Sequence, residues 1–241
     1  MCNLVIDEGN SSTKIGLFDG DTLIATDRYQ TFGREEAAEI FSRYKVENTI
    51  LSSVVDSDEV LLLFLRKESR RFILLDQDTP LPIENLYATP HTLGRDRLAV
   101  CVGANFLKHN SNLLVIDAGT AVTYDVVNSK NQYLGGNISP GLSMRAQALH
   151  DLTQKLPLVE VKEEVALFGT TTETALQSGI LKGLLYEIEG YVADFSTAYP
   201  DLSVFLTGGS AFYFERNLKS TIFVDRNLLL IGLNRILSFR C

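Results

Sequence analysis

The hydrophobic pattern changes period several times along the 241 residues, and one short pattern occurs twice. Leu4-Val5-Ile6 is an unbroken apolar run that ends in Asp7-Glu8-Gly9, and Leu114-Val115-Ile116 ends in the same way in Asp117-Ala118-Gly119. Past small hydroxyl residues, each continues into a second β-rich run, Ile15–Phe18 in one copy and Val122–Val127 in the other. Thr13 and Thr123 each stand six residues after the Asp. Asp19-Gly20-Asp21 and Asn128–Asn131 supply the following turns. Two β-hairpins of one design, half a chain apart, predict two domains related by duplication, residues 1–111 and 112–241.

Strand and helix periods alternate around the hairpins. Helices are predicted over Glu35–Tyr44, Asp58–Glu68, Asp96–Lys108, Ser143–Lys155, Glu173–Ala198 and Arg226–Phe239, and strands over Thr49–Val54, Phe72–Leu75, Ser203–Thr207 and Thr221–Val224. On the longest helix Leu176, Ile180, Leu184, Ile188 and Phe195 recur at helical spacing, a face for core packing first and a subunit contact second. The alternation predicts an α/β fold with a sheet of mixed direction and flanking helices in each half.

Composition narrows the function classes. Hydrophobic residues at 45% and charged residues at 22% are ordinary for a globular chain. A formal net charge of −8 repels phosphate polymers and anionic lipid heads, so neither nucleic acid nor membrane is an expected partner. Apolar runs such as Val60–Leu65 are too short to span a bilayer, and no basic stretch precedes an apolar N-terminal segment. Cys2, Cys101 and Cys241 are far apart and form no metal-ligand spacing, which fits reduced thiols and a cytoplasmic setting. His91, His109 and His150 are equally scattered.

Three segments could carry chemistry. Asp7-Glu8-Gly9-Asn10-Ser11-Ser12-Thr13-Lys14 is a turn whose backbone N–H groups, hydroxyls and lysine suit phosphate oxygens, with Asp7 placed to hold Mg²⁺. Alone it reads equally as an ordinary hairpin. The second copy, Asp117-Ala118-Gly119-Thr120-Ala121-Val122-Thr123, demands a second coincidence of the plain reading, and phosphoryl transfer needs chiefly positioning and charge neutralisation. No Gly-x-x-x-x-Gly-Lys-Ser/Thr or Gly-x-Gly-x-x-Gly segment competes with this assignment. The third segment is Tyr87 to Arg97, where Gly94-Arg95-Asp96-Arg97 opens a helix. By itself it places Asp96 as a helix cap or dipole partner first, and second as a base for a substrate hydroxyl, with Arg97 binding an anionic group. Gly135-Gly136, Pro140-Gly141 and Gly208-Gly209 read as turns, or as places where backbone approaches a ligand.

In order and spacing these segments resemble the type III pantothenate kinases, of the acetate and sugar kinase, heat-shock chaperone and actin superfamily. The resemblance runs along nearly the whole chain and includes Leu156-Pro157 and Gly169-x-Thr171-Thr172. It implies an actin-like, ribonuclease H-like duplicated fold with nucleotide in the cleft between the halves. It also implies ATP-dependent phosphorylation of the terminal hydroxyl of pantothenate, the first step of coenzyme A synthesis. By position, Asp96 looks like the proton acceptor, and Tyr87, Gly94, Arg95, Asp96, Arg97 and Thr172 like substrate contacts. Asp7 through Lys14 (Asp7, Glu8, Gly9, Asn10, Ser11, Ser12, Thr13, Lys14) and Thr120 look like the ATP site. Asp117 looks like the ligand of a monovalent cation, potassium or ammonium, and a homodimer is implied. Ser11 stands where the family usually has Thr and keeps the hydroxyl. Arg95 stands where a small residue is common, either crowding the pocket or adding a cation for the substrate carboxylate. A non-catalytic accessory protein of the Bvg accessory factor type is the alternative on the same fold.

Overall fold

The computed structural model describes residues 2–9 and 12–239. In chain order the elements are β1 (Cys2–Glu8), β2 (Thr13–Asp19), β3 (Thr22–Tyr29), α1 (Arg34–Arg43), β4 (Val46–Ser53), α2 (Glu59–Glu68), β5 (Arg71–Leu74), β6 (Glu84–Asn85), a 3-10 turn (Pro90–Thr92) and α3 (Arg95–Leu107). They continue with β7 (Leu113–Ala118), β8 (Ala121–Val127), β9 (Gln132–Pro140), α4 (Leu142–Asp151), α5 (Thr172–Ala198), β10 (Ser203–Thr207), α6 (Ala211–Glu215), β11 (Ile222–Val224) and α7 (Leu228–Ser238). The expected α/β architecture of two mixed sheets with flanking helices is what forms. The expected Ser143–Lys155 helix ends earlier, at Asp151, with Leu152 as its C-cap and Thr153 Oγ1 donating to Leu149 O at 2.7 Å.

Duplication is visible in the strand order. The first sheet runs β3-β2-β1-β4-β5, and β9-β8-β7-β10-β11 repeats it in the second. In each, an antiparallel hairpin leads and its first strand then pairs in parallel with a strand reached through helix.

Residues group into two compact units, one of 1–109, 131–133 and 227–241, the other of 110–130 and 134–226. In the first unit, one face of the sheet carries Leu4, Ile6, Ile15, Leu17 and Leu51, packed on Ala37 and Ile40 of α1 and Leu61 and Leu65 of α2. Asp58 caps α2 by accepting from Val60 N–H at 3.0 Å. The other face receives α7, whose Leu230 lies against Gly16 of β2. Although α7 closes the chain, it groups here because it crosses α3 at two glycines. A Cβ on Gly232 would lie 1.8 Å from Ala99 O, and one on Gly103 would lie 2.2 Å from Leu228 O. A buried amide chain ties the same helix to the first hairpin: Asn3 Nδ2 donates to Asn234 Oδ1, and Asn234 Nδ2 to Gly20 O, both at 2.9 Å.

In the second unit, Leu114, Ile116, Val122, Tyr124, Val204 and Leu206 line one face of the sheet. They pack on Leu142 and Ala146 of α4, on Ile180, Leu184 and Ile188 of α5, and on Phe214 of α6. Thr171 caps α5, accepting from Thr174 N–H at 3.2 Å.

Candidate functional site

Side chains alternate between the faces of a strand, so the register of each hairpin decides what meets its aspartate. In the first hairpin Asp7 is directly opposite Lys14, and Lys14 opposite Arg28. Ser52 of β4 is the parallel neighbour of Asp7. These residues share the face that carries α7. Thr13 is opposite Glu8 on the other face and is only 4% exposed, so its hydroxyl is turned from Asp7 and Lys14. Glu8 accepts from Ser57 Oγ at 2.6 Å. Gly9 N–H donates to Ser12 O at 3.1 Å, and Ser12 is half-buried. Asn10 and Ser11, both expected at the ATP site, lie outside the described residues.

Asp96 joins Asp7 from a distant part of the sequence. Gly94 is the N-cap of α3, and Asp96 is in its first turn, accepting from Arg97 N–H at 2.9 Å. Asp96 is therefore not the cap, though its charge suits the positive end of the helix. Gly94 makes room for this carboxylate, since a Cβ there would lie 2.4 Å from Asp96 Oδ1. The repulsion between the two acids shows in Asp7. Burial first, then the charge of Asp96, raise its pKa from 3.8 to about 7, against the lowering effect of Lys14 and Arg28. Two carboxylates brought together by a strand end and a helix start repel each other, and a bound cation relieves that repulsion. Arg97 is buried. Tyr87 is half-buried, its ring 6.1 Å from that of Tyr133. Arg95 lines a cavity of about 270 Å³ with Gln77, Asn85 and His91.

The second hairpin has a tighter turn. Asp117 pairs with Thr123, where Asp7 pairs with Lys14, so the shared six-residue spacing places Thr123 and Thr13 on different faces relative to the aspartate. Thr207 of β10 is the parallel neighbour of Asp117. One carboxylate and two hydroxyl side chains thus share a face at the strand ends. Thr123 Oγ1 is buried there and has no hydrogen-bond partner among the described residues. A buried hydroxyl without a partner costs free energy unless a ligand completes it, and oxygen donors of this kind fit a hard cation.

Two glycines close around this turn, Gly208 and Gly141. Gly208, at φ +96°, lies so near β7 that a Cβ would be 2.4 Å from Asp117 Oδ1. Gly141 N–H donates to Thr120 O at 3.0 Å, and a Cβ on Gly141 would be 2.3 Å from Gly119 O. Thr120 itself is exposed. Thr172, the first residue of α5, is exposed and lines a groove of about 640 Å³ with Pro140, Arg145 and Leu149.

The type III pantothenate kinase family model matches residues 3–194. The chain belongs to that family. A type III pantothenate kinase of Phocaeicola vulgatus is 46% identical, with 98% of each chain covered, and one of Bacteroides fragilis is 47% identical with the same coverage. Among solved structures, a Campylobacter jejuni protein of the Baf family of transcriptional activators aligns with a TM-score of 0.59 at 22% identity, covering 97% of this chain and 96% of that one. That likeness shows the shared fold and no more. As a member of the type III pantothenate kinases the protein is an enzyme, a kinase, and the accessory-protein alternative is not favoured. Among the described residues no helix is long and apolar enough to cross a membrane.

Proposed function

We propose that this protein transfers the γ-phosphoryl group of ATP to the terminal hydroxyl of pantothenate, forming 4'-phosphopantothenate at the entry to coenzyme A synthesis. Family membership over nearly the full length supports the reaction. The observation that carries the residue assignment is the convergence of Asp7 and Asp96 from separate elements, where burial and then the charge of Asp96 raise the pKa of Asp7.

In this reading the hydroxyl oxygen of pantothenate bonds to the γ-phosphorus while the bond to the bridging oxygen of ADP breaks, and the hydroxyl proton passes to Asp96. Asp96 is held over the first turn of α3 by its bond from Arg97 N–H, so the carboxylate is aimed before substrate arrives. Lys14 and Thr120 contact ATP phosphates, with Glu8 to Thr13 forming the rest of the first turn. Asp7 would hold Mg²⁺, directly or through water, which suits an ion that takes few protein carboxylates. Asp117, with Thr123 and Thr207 on its face, would hold potassium or ammonium. These ions supply charge neutralisation to the phosphates when bound. Tyr87, Gly94, Arg95, Arg97 and Thr172 are assigned to pantothenate. Residues 1–111 and 112–241 are assigned as the two duplicated halves. A homodimer in the cytoplasm is the expected setting, checked by light scattering and by fractionation.

Coupled measurement of ADP release with purified protein, ATP, Mg²⁺ and a potassium salt tests the reading. Release that depends on pantothenate is expected. Release with another alcohol but not with pantothenate refutes the substrate, and none with any alcohol refutes the kinase.

A further inference from the structure

The turn of the second hairpin is held by a relay of polar contacts that begins on α5. At its far end, Glu187 of α5 accepts from Tyr124 OH at 2.8 Å and forms an ion pair with Arg145 of α4. Arg145 then reaches back to the end of β9, where Nε donates to Pro140 O at 2.8 Å and Nη2 to Ser139 Oγ at 3.0 Å. The next residue is Gly141, bonded to Thr120 O and in contact with the turn so closely that no side chain fits between. A close-packed junction transmits displacement, because neither side has space to yield. The ion pair is mostly buried, with side chains 21% and 25% exposed, so water screens it weakly. Burial pushes the Glu187 carboxyl upward, but bonds from Arg145, Tyr124 and Ser139 outweigh it and hold the group below the usual carboxylate range.

We infer that Arg145, fixed by Glu187, which Tyr124 holds in turn, is a positioning residue that sets the Gly119–Thr120 turn against the nucleotide phosphates. The inference rests on the assignment of Thr120 to ATP. Arg145 is suited to the task because its fork holds Pro140, Ser139 and Glu187 at once, and lysine has no equivalent geometry. The groove beside it gives a second consequence. Arg145, Pro140 and Thr172 line the same groove, so a shift of Arg145 reaches the proposed pantothenate contact as well.

The test compares Arg145→Ala, Arg145→Lys and Glu187→Gln with Glu189→Gln as control. Glu189 is on the same helix but anchors Lys219 N–H and Ser220 Oγ instead of residues 139–141. Binding of a non-hydrolysable ATP analogue and kcat/KM for ATP are measured beside the thermal midpoint. Arg145→Ala and Glu187→Gln are expected to lose about tenfold to a hundredfold in kcat/KM for ATP, the scale expected when catalytic groups shift by about 1 Å. Analogue binding should weaken in parallel, Arg145→Lys should fall between, and Glu189→Gln should stay within about twofold of wild type whatever its midpoint. If Arg145→Ala fails to fold, Arg145→Lys and Glu187→Gln carry the comparison. Equal analogue affinity in all variants, or a loss in Glu189→Gln matching that in Glu187→Gln, overturns the positioning role. A wild type that binds no ATP analogue overturns the ATP assignment and the inference with it.

Discussion

Replacing Asp7 with Asn should stabilise the protein in a manner that depends on pH, while abolishing its activity. Wild-type Asp7 has a folded pKa of about 7 against 3.8 for the free group, a rise of about 3 units. A raised carboxylate pKa means that the folded state keeps a proton which the unfolded state releases. Stability therefore falls as pH rises from about 4 to about 7 and stays low above that window. At 1.36 kcal/mol per unit the full penalty is about 4 kcal/mol. Asp7 is half-buried, and screening reduces the figure, so about 1–3 kcal/mol is the working expectation above neutrality. Asn has no proton to lose and removes the penalty. Thermal unfolding without nucleotide or Mg²⁺ should then place Asp7→Asn about 3–8 °C above wild type near pH 8.5, with a clearly smaller gain near pH 5. Asp96→Asn removes only the second cause of the shift, after burial, and should give a smaller gain of the same sign. A gain of equal size at both pH values, or a loss at the higher one, would refute the electrostatic account of this site.

Other expectations follow from single contacts. Asp96→Asn should bind an ATP analogue as wild type does yet transfer phosphate at least about 10²-fold more slowly, the low end of general-base effects, and single-turnover kinetics near the wild-type rate would remove Asp96 from the base role. Activity in matched potassium, ammonium and sodium salts should be lower in sodium, and Asp117→Asn should erase the difference; equal rates for the wild type in all three would count against a selective cation site. Gly232→Ala, by driving a methyl into Ala99 O across the α3–α7 crossing, should cost about 1–3 kcal/mol in urea unfolding, while Gly190→Ala, with nothing near its added carbon, should cost nothing.

Much of this protein is determined by local sequence. The two Asp-x-Gly hairpins, the helical faces of α2 and α5 and the duplication itself follow from residue period and turn chemistry, which act over a few positions. Strands β3 and β9 escaped that reading: β3 buries none of its residues, and β9 buries only Tyr133 of its nine, so neither shows the apolar alternation that marks a strand. Tertiary structure alone decided which groups meet. The six-residue spacing from Asp to Thr is shared by both copies, yet a longer first turn puts Thr13 behind the sheet and Lys14 beside Asp7. Asp7 and Asp96 are 89 positions apart and become neighbours through the packing of one unit. Gly141 and Gly208 could not be told from ordinary turn glycines until the carbonyls and carboxylate against them were known. The physical reason is range: period and turn propensity are written in adjacent residues, whereas register, close approach and mutual charge depend on which distant segments pack together.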